Sequence, residues 1–310
     1  MKIYKPKFWK INFNVVSILL IPLALLVEFV NFLKKRFVTQ KKFNIPVVCV
    51  GNIYLGGTGK TPLSFEVVKI IENFKFKTAL IKKYYKQQID EIDLSKDKVK
   101  NILIDNSRTK AIKKAVDGKI QAVVLDDGFQ DYSIYKDLNI LCFNAKQLIG
   151  NGRVIPAGPL RESFNALKRS QIVVINGGKN KSFEKKIRTI SKKISIYYSE
   201  YLPKNINKFR NKNILAFAGI GNPENFFDLL RKYKLKVKKT IKFPDHYFYT
   251  RHELLEIIEM AKQNNLEIVT TEKDYYRIKN FKLNKFNKFT IDLKINEKKK
   301  FISDIKRILT

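Results

Sequence analysis

A glycine-rich stretch, GNIYLGGTGKTP, follows an apolar run of strand length and precedes a run with helical spacing. Glycines let a backbone curl so that successive N–H groups face phosphate oxygens, and the N-terminus of the following helix adds its dipole. A lysine in this position neutralises the β- and γ-phosphates, and a threonine hydroxyl coordinates Mg²⁺. The stretch therefore predicts a P-loop for ATP and Mg²⁺. Its predicted binding residues are Gly56, Gly57, Thr58, Gly59, Lys60 and Thr61.

The strict P-loop pattern, GxxxxGK[ST], has a glycine where this chain has Tyr54. The alternative is a glycine-rich turn that binds no nucleotide. The strand before the turn and the helix predicted after it favour the P-loop, because that motif joins a strand to a helix N-terminus.

A second apolar run, IQAVVL, ends in two carboxylates, Asp126 and Asp127. Carboxylates at the end of a buried strand reach the Mg²⁺ of a bound nucleotide, directly or through water, when the strand belongs to a P-loop sheet. Paired aspartates after a strand are also common in turns. The P-loop earlier in the chain favours the metal-binding interpretation.

Two loops carry further candidate residues. NGRVIPAGPLRE has no hydrophobic period and contains Arg153 and Arg161, two of the few arginines in a chain dominated by lysine. Arginine makes planar bidentate bonds to phosphate that lysine cannot make, so both are predicted to bind substrate; an ordinary solvated loop is the alternative. FPDHYFYT places Asp245 beside His246, which makes the pair a candidate for proton transfer.

The composition limits the class of protein. The 310 residues suggest about two domains, and 62 basic against 28 acidic residues give a net charge of +34. That excess suggests a polyanionic partner, although lysines spread along the whole chain also fit a compositional bias. No helix-turn-helix or RNA-binding signature is present, so no nucleic-acid partner is expected, and a nucleic-acid-binding P-loop ATPase is the rival function. Cys49 and Cys142 lie in apolar runs and are predicted to be buried free thiols.

Apolar strands alternate with helical segments along most of the chain, which predicts an α/β fold with a P-loop-type parallel sheet covered by helices and a second, smaller α/β domain. Residues 82–100 are polar and irregular in pattern. In TTEKD, the simplest interpretation is a helix N-cap at Thr271. The predicted domains are an N-terminal segment (1–43), a P-loop domain (44–203) and a C-terminal α/β domain (204–310).

The N-terminal segment contains an uninterrupted apolar run over residues 15–27. As a helix it would reach about 20 Å, short of a hydrocarbon core of about 30 Å, and Pro22 would kink it. Lysines and an arginine flank it on both sides. This pattern predicts a helix that lies in the interface of an anionic membrane. A cleaved signal peptide, a soluble core helix and a spanning helix are the alternatives.

Six motifs in this order resemble the tetraacyldisaccharide 4′-kinases, the lipid A kinases of Gram-negative bacteria: GNIYLGGTGKTP, DDGFQ, NGRVIPAGPLRE, AGIGNPENFF, FPDHYFYT and TEKD. The resemblance implies phosphorylation, with ATP and Mg²⁺, of the 4′-hydroxyl of a lipid A disaccharide precursor. It implies two α/β domains with the site in the cleft between them. It also implies a peripheral or monotopic location at the cytoplasmic face of the inner membrane.

The resemblance extends to individual residues. It implies that Lys60 is catalytic and that Asp90, in QIDEIDLS, is the base assisted by His246, with Glu91 as the neighbouring alternative. The remaining implied residues are Thr61, Asp126, Asp127 and Glu162 at the metal and Gln130, Arg153, Arg161 and Asp245 at the substrate. Two departures leave an inactive family member as a further alternative: KKYYK stands where the family has Ser-Arg-Gly-Tyr-Gly, and Asp131 where it has His.

Overall fold

The structure is a computed structural model that describes residues 6–85 and 89–309. The described residues form two compact units. One unit contains residues 6–84, 99–200 and 293–309, and the other contains residues 85, 89–98 and 201–292. Unlike the predicted domains 44–203 and 204–310, neither unit is continuous in sequence. The C-terminal helix returns to the first unit because Phe301 packs against the ring of Tyr197 there, with centroids 5.1 Å apart.

The described residues form twelve strands and ten α-helices, together with short 3-10 helices. The strands are β1 (Val47–Gly51), β2 (Thr78–Lys83), β3 (Ile102–Asp105), β4 (Ala122–Asp126), β5 (Leu138–Asn144), β6 (Ile172–Asn176), β7 (Ser195–Pro203), β8 (Asn213–Ala218), β9 (Lys236–Lys242), β10 (Glu267–Thr271), β11 (Phe286–Phe289) and β12 (Ile291–Ile295). The helices are α1 (Val15–Leu19), α2 (Ile21–Phe37), α3 (Lys60–Asn73), α4 (Ile89–Lys98), α5 (Arg108–Asp117), α6 (Lys181–Ile190), α7 (Pro223–Lys232), α8 (Arg251–Gln263), α9 (Glu272–Ile278) and α10 (Lys298–Leu309).

The larger sheet has eight strands in the order β12-β7-β6-β5-β1-β4-β2-β3. Strands β1, β4 and β5 are fully buried, as expected for apolar runs in a parallel sheet that is covered on both faces. Strand β1 lies between β4 and β5, parallel to both, and Val50 pairs with Asp126. The loop after β1 and the carboxylates at the end of β4 therefore meet at the carboxyl edge of the sheet, where open α/β sheets bind ligands. The predicted α/β fold is confirmed.

The smaller sheet has four parallel strands in the order β11-β10-β8-β9. One core cluster joins this sheet to the apolar face of α7 through Phe227 and Leu230. A second cluster joins it to α8 through Leu254 and Ile257. The second unit thus has its own core on both faces of its sheet.

The apolar N-terminal segment forms two helices rather than one. The break is at Leu20, and Pro22 lies in the first turn of α2, where its missing N–H costs no hydrogen bond. Most of the exposed large hydrophobic side chains of the described residues lie between Ile11 and Val38. Among the helices of residues 6–85 and 89–309, none is long and apolar enough to cross a membrane. Of the lysines that precede the apolar run, Lys2 and Lys5 lie outside the described residues.

Candidate active site

The glycine-rich loop joins β1 to α3. Gly56, Gly57 and Gly59 have φ values of 75°, 62° and 93°, a left-handed backbone that glycine adopts without steric cost. Gly59 is the N-cap, so the helix begins at Lys60. The loop thus ends at a helix N-terminus, where N–H groups without intrahelical partners can bind a phosphate.

Tyr54, the departure from the strict P-loop pattern, does not occupy the loop's interior. Its side chain is only 2% exposed and belongs to the core of the first unit. Its carbonyl oxygen accepts a hydrogen bond of 2.6 Å from Asn52 Nδ2, which also donates to Thr58 Oγ1 at 2.9 Å. Asn52 is fully buried, and its two hydrogen bonds join the start of the loop at Tyr54 to Thr58. The glycine-rich curve is therefore retained despite the tyrosine.

Asp126, at the end of β4, lies in a buried polar cluster with α3. Its Oδ2 accepts a hydrogen bond of 3.2 Å from the Thr61 hydroxyl, and its Oδ1 accepts one of 3.0 Å from the Ser64 hydroxyl. Lys82 Nζ, at the end of β2, forms an ion pair of 2.6 Å with Oδ2. The side chains of Lys82 and Asp126 are only 5% and 3% exposed. A fixed cation therefore faces this carboxylate from within the protein.

Asp127 faces a different set of cations. Arg161 Nη1 contacts both of its carboxylate oxygens, at 2.9 and 3.0 Å, and Lys60 Nζ lies 3.7 Å from Oδ1. Burial alone would raise the pKa of Asp127, but Lys60, Arg161 and Arg108 outweigh that effect and hold the pKa below its ordinary value. Asp127 also has a φ of 58°, a left-handed backbone that is uncommon outside glycine and clusters at functional sites.

Glu162 lies among side chains that already occupy both of its oxygens. Oε1 accepts a hydrogen bond of 3.0 Å from Gln130 Nε2, and Oε2 accepts bonds from the Tyr132 hydroxyl, at 2.6 Å, and from Arg169. The Arg169 guanidinium also stacks over the rings of Phe129 and Tyr132. In this arrangement Glu162 orients Gln130, so the metal-binding role implied for it stays a prediction.

The oxygen donors at the loop suit a Mg²⁺ ion that arrives with nucleotide. Mg²⁺ is usually held by one or two protein oxygens together with substrate phosphates rather than by an all-protein cage. The Thr61 hydroxyl and the Asp126 carboxylate provide such a pair, 3.2 Å apart. Within the described residues, no three His, Cys, Asp or Glu side chains converge as a metal-binding group.

Arg153 contacts the N-terminal segment. Its Nη1 donates a hydrogen bond of 2.7 Å to the hydroxyl of Ser17, which is fully buried in α1. That hydroxyl in turn donates to the Ala157 carbonyl oxygen at 2.6 Å and accepts from Asn151 Nδ2 at 3.0 Å. Arg153 therefore attaches α1 to the NGRVIPAGPLRE loop, and its predicted contact with substrate stays a prediction.

The second unit contains a separate buried network around Arg277 of α9. Its Nε and Nη2 lie 2.9 and 2.7 Å from Asp90 Oδ2, on α4. Its Nη1 donates to the Gly219 carbonyl oxygen at 2.5 Å and to Asp274 Oδ1 at 2.8 Å. Burial alone would lower the pKa of Arg277, but Asp274 and Asp90 raise it above its ordinary value. One guanidinium thus joins two carboxylates that are nearly inaccessible to solvent.

His246 lies against the same guanidinium. Its Nδ1 is 3.5 Å from Arg277 Nη2. Because arginine carries only donors, Nδ1 must be the acceptor, which places the proton of the neutral ring on Nε2. His246 also has a left-handed backbone, with a φ of 54°. Asp245 is exposed, and its carboxylate accepts a bond of 3.1 Å from the backbone N–H of His246.

The two candidates for the base, Asp90 and Glu91, have different partners in the structure. Asp90 shares Arg277 with His246, whereas Glu91 pairs with Lys273 at 2.5 Å. The sequence analysis named Asp90 and His246 as candidates but not Arg277, which contacts both of them. Lys82 was noticed only as part of KKYYK, whose last residue, Lys86, lies outside the described residues, as does Gln88 of QIDEIDLS. The predicted N-cap at Thr271 is confirmed, because its hydroxyl accepts a hydrogen bond from Asp274 N.

Comparisons with known proteins agree with the motifs. The family model for tetraacyldisaccharide-1-P 4′-kinase, LpxK, matches residues 16–100 and 90–310. The tetraacyldisaccharide 4′-kinase of Pelagibacter ubique is 38% identical and covers 96% of each chain, and that of Rickettsia bellii is 32% identical and covers 90% of each. A crystal structure of LpxK from Aquifex aeolicus in complex with ATP has the same fold, with a TM-score of 0.74, 22% identity and coverage of 96% of this chain and all of that one.

Proposed function

The chain belongs to the tetraacyldisaccharide-1-phosphate 4′-kinase family, and we propose that it uses the P-loop and the Asp90–His246 pair to phosphorylate the 4′-hydroxyl of a lipid A disaccharide precursor. The observation that carries this proposal is the P-loop itself, with Lys60 at the start of a helix and Asp127 within 3.7 Å of it. In the reaction the 4′-oxygen forms a bond to the γ-phosphorus of ATP, the bond from that phosphorus to the bridging oxygen breaks, and ADP leaves.

The phosphate-binding residues would act by position and charge. Phosphoryl transfer needs little covalent participation from the protein, so fixed cations supply most of the catalysis. Lys60 would bind the β- and γ-phosphates, and Arg161, which Asp127 holds in place, would face the same group. Thr61 and Asp126 would hold Mg²⁺, which when bound neutralises the charge that develops on the phosphates.

The proton of the sugar hydroxyl needs an acceptor, and Asp90 is the proposed one. Both bonds from Arg277 go to Asp90 Oδ2, so this guanidinium leaves Oδ1 uncovered. Oδ1 would take the proton as the new oxygen–phosphorus bond forms. His246 would donate a hydrogen bond to the substrate from Nε2, since its Nδ1 faces Arg277.

The exposed apolar segment supports a proposal about location. Leu19, Leu23 and Leu26 are 73%, 53% and 59% exposed, and basic residues follow them in the last turn of α2. An apolar surface with cations at its margins suits an anionic bilayer, where the lipid substrate also lies. We propose that the enzyme binds the cytoplasmic face of the inner membrane through this segment as a peripheral or monotopic protein.

The kinase reaction can be tested directly with purified protein, radiolabelled ATP, Mg²⁺ and a lipid A disaccharide 1-phosphate in mixed micelles. We expect label to enter the lipid, and mass spectrometry should locate the new phosphate at the 4′-position. Hydrolysis of ATP without any labelled lipid would contradict the proposal and favour the rival P-loop ATPase, whereas the absence of both hydrolysis and label would favour an inactive family member.

Membrane binding can be tested by sedimentation with vesicles of phosphatidylglycerol. Deleting the segment would also remove the buried residues Trp9, Ser17 and Ala24, so point substitutions are preferable. We expect the Leu19→Ser/Leu26→Ser variant to sediment less than wild type. The control is Leu255→Ser, which removes a 45% exposed leucine from α8 and should change nothing. Equal sedimentation of all three proteins would exclude the segment as the anchor.

A further inference from the structure

We propose that Arg277 is the positioning residue of the acid–base pair, holding Asp90 and His246 with one guanidinium. The inference rests on the proposed function of Asp90 as the base. Arg277 contacts Asp274 on its own helix and three groups on other elements. These three are Asp90 on α4, His246 on the loop after β9 and Gly219 after β8. A planar group with a rigid fork of donors is suited to hold such partners at fixed angles.

The guanidinium is itself fixed on its other edge. Asp274 is completely buried and accepts four hydrogen bonds, from Tyr249, Thr271, Arg277 and the Gly219 N–H. A buried carboxylate with this many donors has one orientation, and it transmits that orientation to Arg277. Asp274 therefore anchors the arginine and is not itself available to a substrate.

Gly219 allows this close approach. A Cβ on residue 219 would lie 2.8 Å from the Tyr249 hydroxyl and 3.2 Å from Asp274 Oδ1, so any other residue would displace the groups that hold Arg277. The AGIGNP and TEKD motifs thereby acquire a common role. The first motif supplies Gly219 and the second supplies Asp274, and both residues accept hydrogen bonds from Arg277.

The consequence for catalysis is directional. Arg277 binds Oδ2 of Asp90 and faces Nδ1 of His246, so this guanidinium leaves Oδ1 and Nε2 to act on a substrate, and Nε2 also lies 3.9 Å from Asp245 Oδ1. A lysine in its place could pair with one carboxylate but could not contact all the groups at once. The loss should therefore fall on the chemical step and not on ATP binding, since the phosphate-binding residues belong to the other unit.

The test is a double-mutant cycle of single-turnover rates at saturating ATP, with Arg277→Lys and Asp90→Asn. We expect Arg277→Lys to lower the rate by about 10- to 100-fold with the ATP affinity unchanged. In the Asp90→Asn background the same substitution should lower the rate by less than about 3-fold, because residues that act as a unit are non-additive.

The matched control is Lys273→Met. It removes a cation from the same interface between α4 and α9, at the Glu91 pair, and should leave the rate near that of wild type. Should Arg277→Lys fail to fold, Asp274→Asn serves as the second variant, because it weakens the ion pair that orients Arg277 and keeps the arginine. We expect a smaller loss of rate that again disappears in the Asp90→Asn background.

The outcomes separate the two proposals. If Arg277→Lys, or in its place Asp274→Asn, slows the reaction equally in both backgrounds or leaves the rate unchanged, the positioning role is wrong while Asp90 can still be the base. If Asp90→Asn alone keeps the wild-type rate, the proposed base is wrong and the role of Arg277 is overturned with it.

Discussion

The ion pair of Lys82 and Asp126 gives a stability prediction whose size follows from burial. Replacing Lys82 with Met removes the cation and leaves a carboxylate that is 3% exposed. Breaking a buried pair in this way costs about 3–5 kcal/mol. The hydroxyls of Thr61 and Ser64 still donate to Asp126, so we expect a loss of about 3 kcal/mol in the free energy of unfolding.

Urea unfolding measures this loss, and Trp9 provides a specific probe. It is the only tryptophan of the chain and is buried in the unit that contains Lys82. With an m value of about 2 kcal/mol/M, the midpoint for Lys82→Met should fall by about 1.5 M. The control is Lys82→Met/Asp126→Asn, which removes both charges and should recover most of the loss. A midpoint shift below about 0.5 M for Lys82→Met would refute the reasoning.

Three further predictions concern the first unit. Lys60→Ala should lower the rate of phosphoryl transfer at least about 100-fold, measured with labelled ATP, while the exposed Lys69→Ala on the same helix should not. Ser17→Ala should reduce the free energy of unfolding by about 1–3 kcal/mol, measured with urea, because it leaves Arg153 without its acceptor; a loss no larger than for Ser182→Ala, which changes an exposed serine, would contradict the contact. Burial raises the pKa of Cys49 to about 11 and of Cys142 to about 12, from 9.0. Since the unfolded chain loses these protons first, their stabilisation is complete below pH 9 and is lost as the pH rises toward 11 and 12, by up to about 1.4 kcal/mol per pH unit for each thiol. Stability of the Cys49→Ala/Cys142→Ala variant should therefore fall less steeply from pH 9 to 10.5, and equal slopes would be inconsistent with buried thiols.

Local patterns predicted much of the secondary structure. The residues of strands β8 and β9 can be recognised in the sequence, because each strand is a short run bounded by turn residues or polar residues. The meeting of the P-loop with Asp126 and Asp127 was also predictable, since parallel strands place their carboxyl ends at one edge of a sheet. Both results depend on information within a few residues of each motif.

Helix α4 was missed because its partners are remote in sequence. Residues 82–100 look polar and irregular, yet Asp90, Glu91 and Asp93 pair with basic residues of the 273–279 segment. The acidic face of α4 therefore reflects contacts with a segment about 180 residues away, which local periodicity does not encode. The same reason explains why the sequence left Asp90 and Glu91 undecided, whereas the cation that each one contacts differs in the structure.

The NGRVIPAGPLRE loop connects the apolar segment with the proposed phosphate-binding residues inside one unit. Two bonds join the loop to the apolar segment. Trp9 donates to the Pro156 carbonyl oxygen at 3.0 Å, and Asn31 of α2 donates to the Arg161 carbonyl oxygen at 3.2 Å. Two further contacts join the loop to the glycine-rich turn and the acidic pair. The Arg161 N–H donates to the Ile53 carbonyl oxygen at 2.7 Å, and the Arg161 guanidinium binds Asp127. Arg161 therefore contacts the proposed membrane-binding helix through its backbone and the acidic pair through its side chain. Because these bonds are partly buried, α2 and Asp127 are held in a fixed relation, and we expect a lipid-bound α2 to hold the proposed phosphate site at a defined distance from the bilayer.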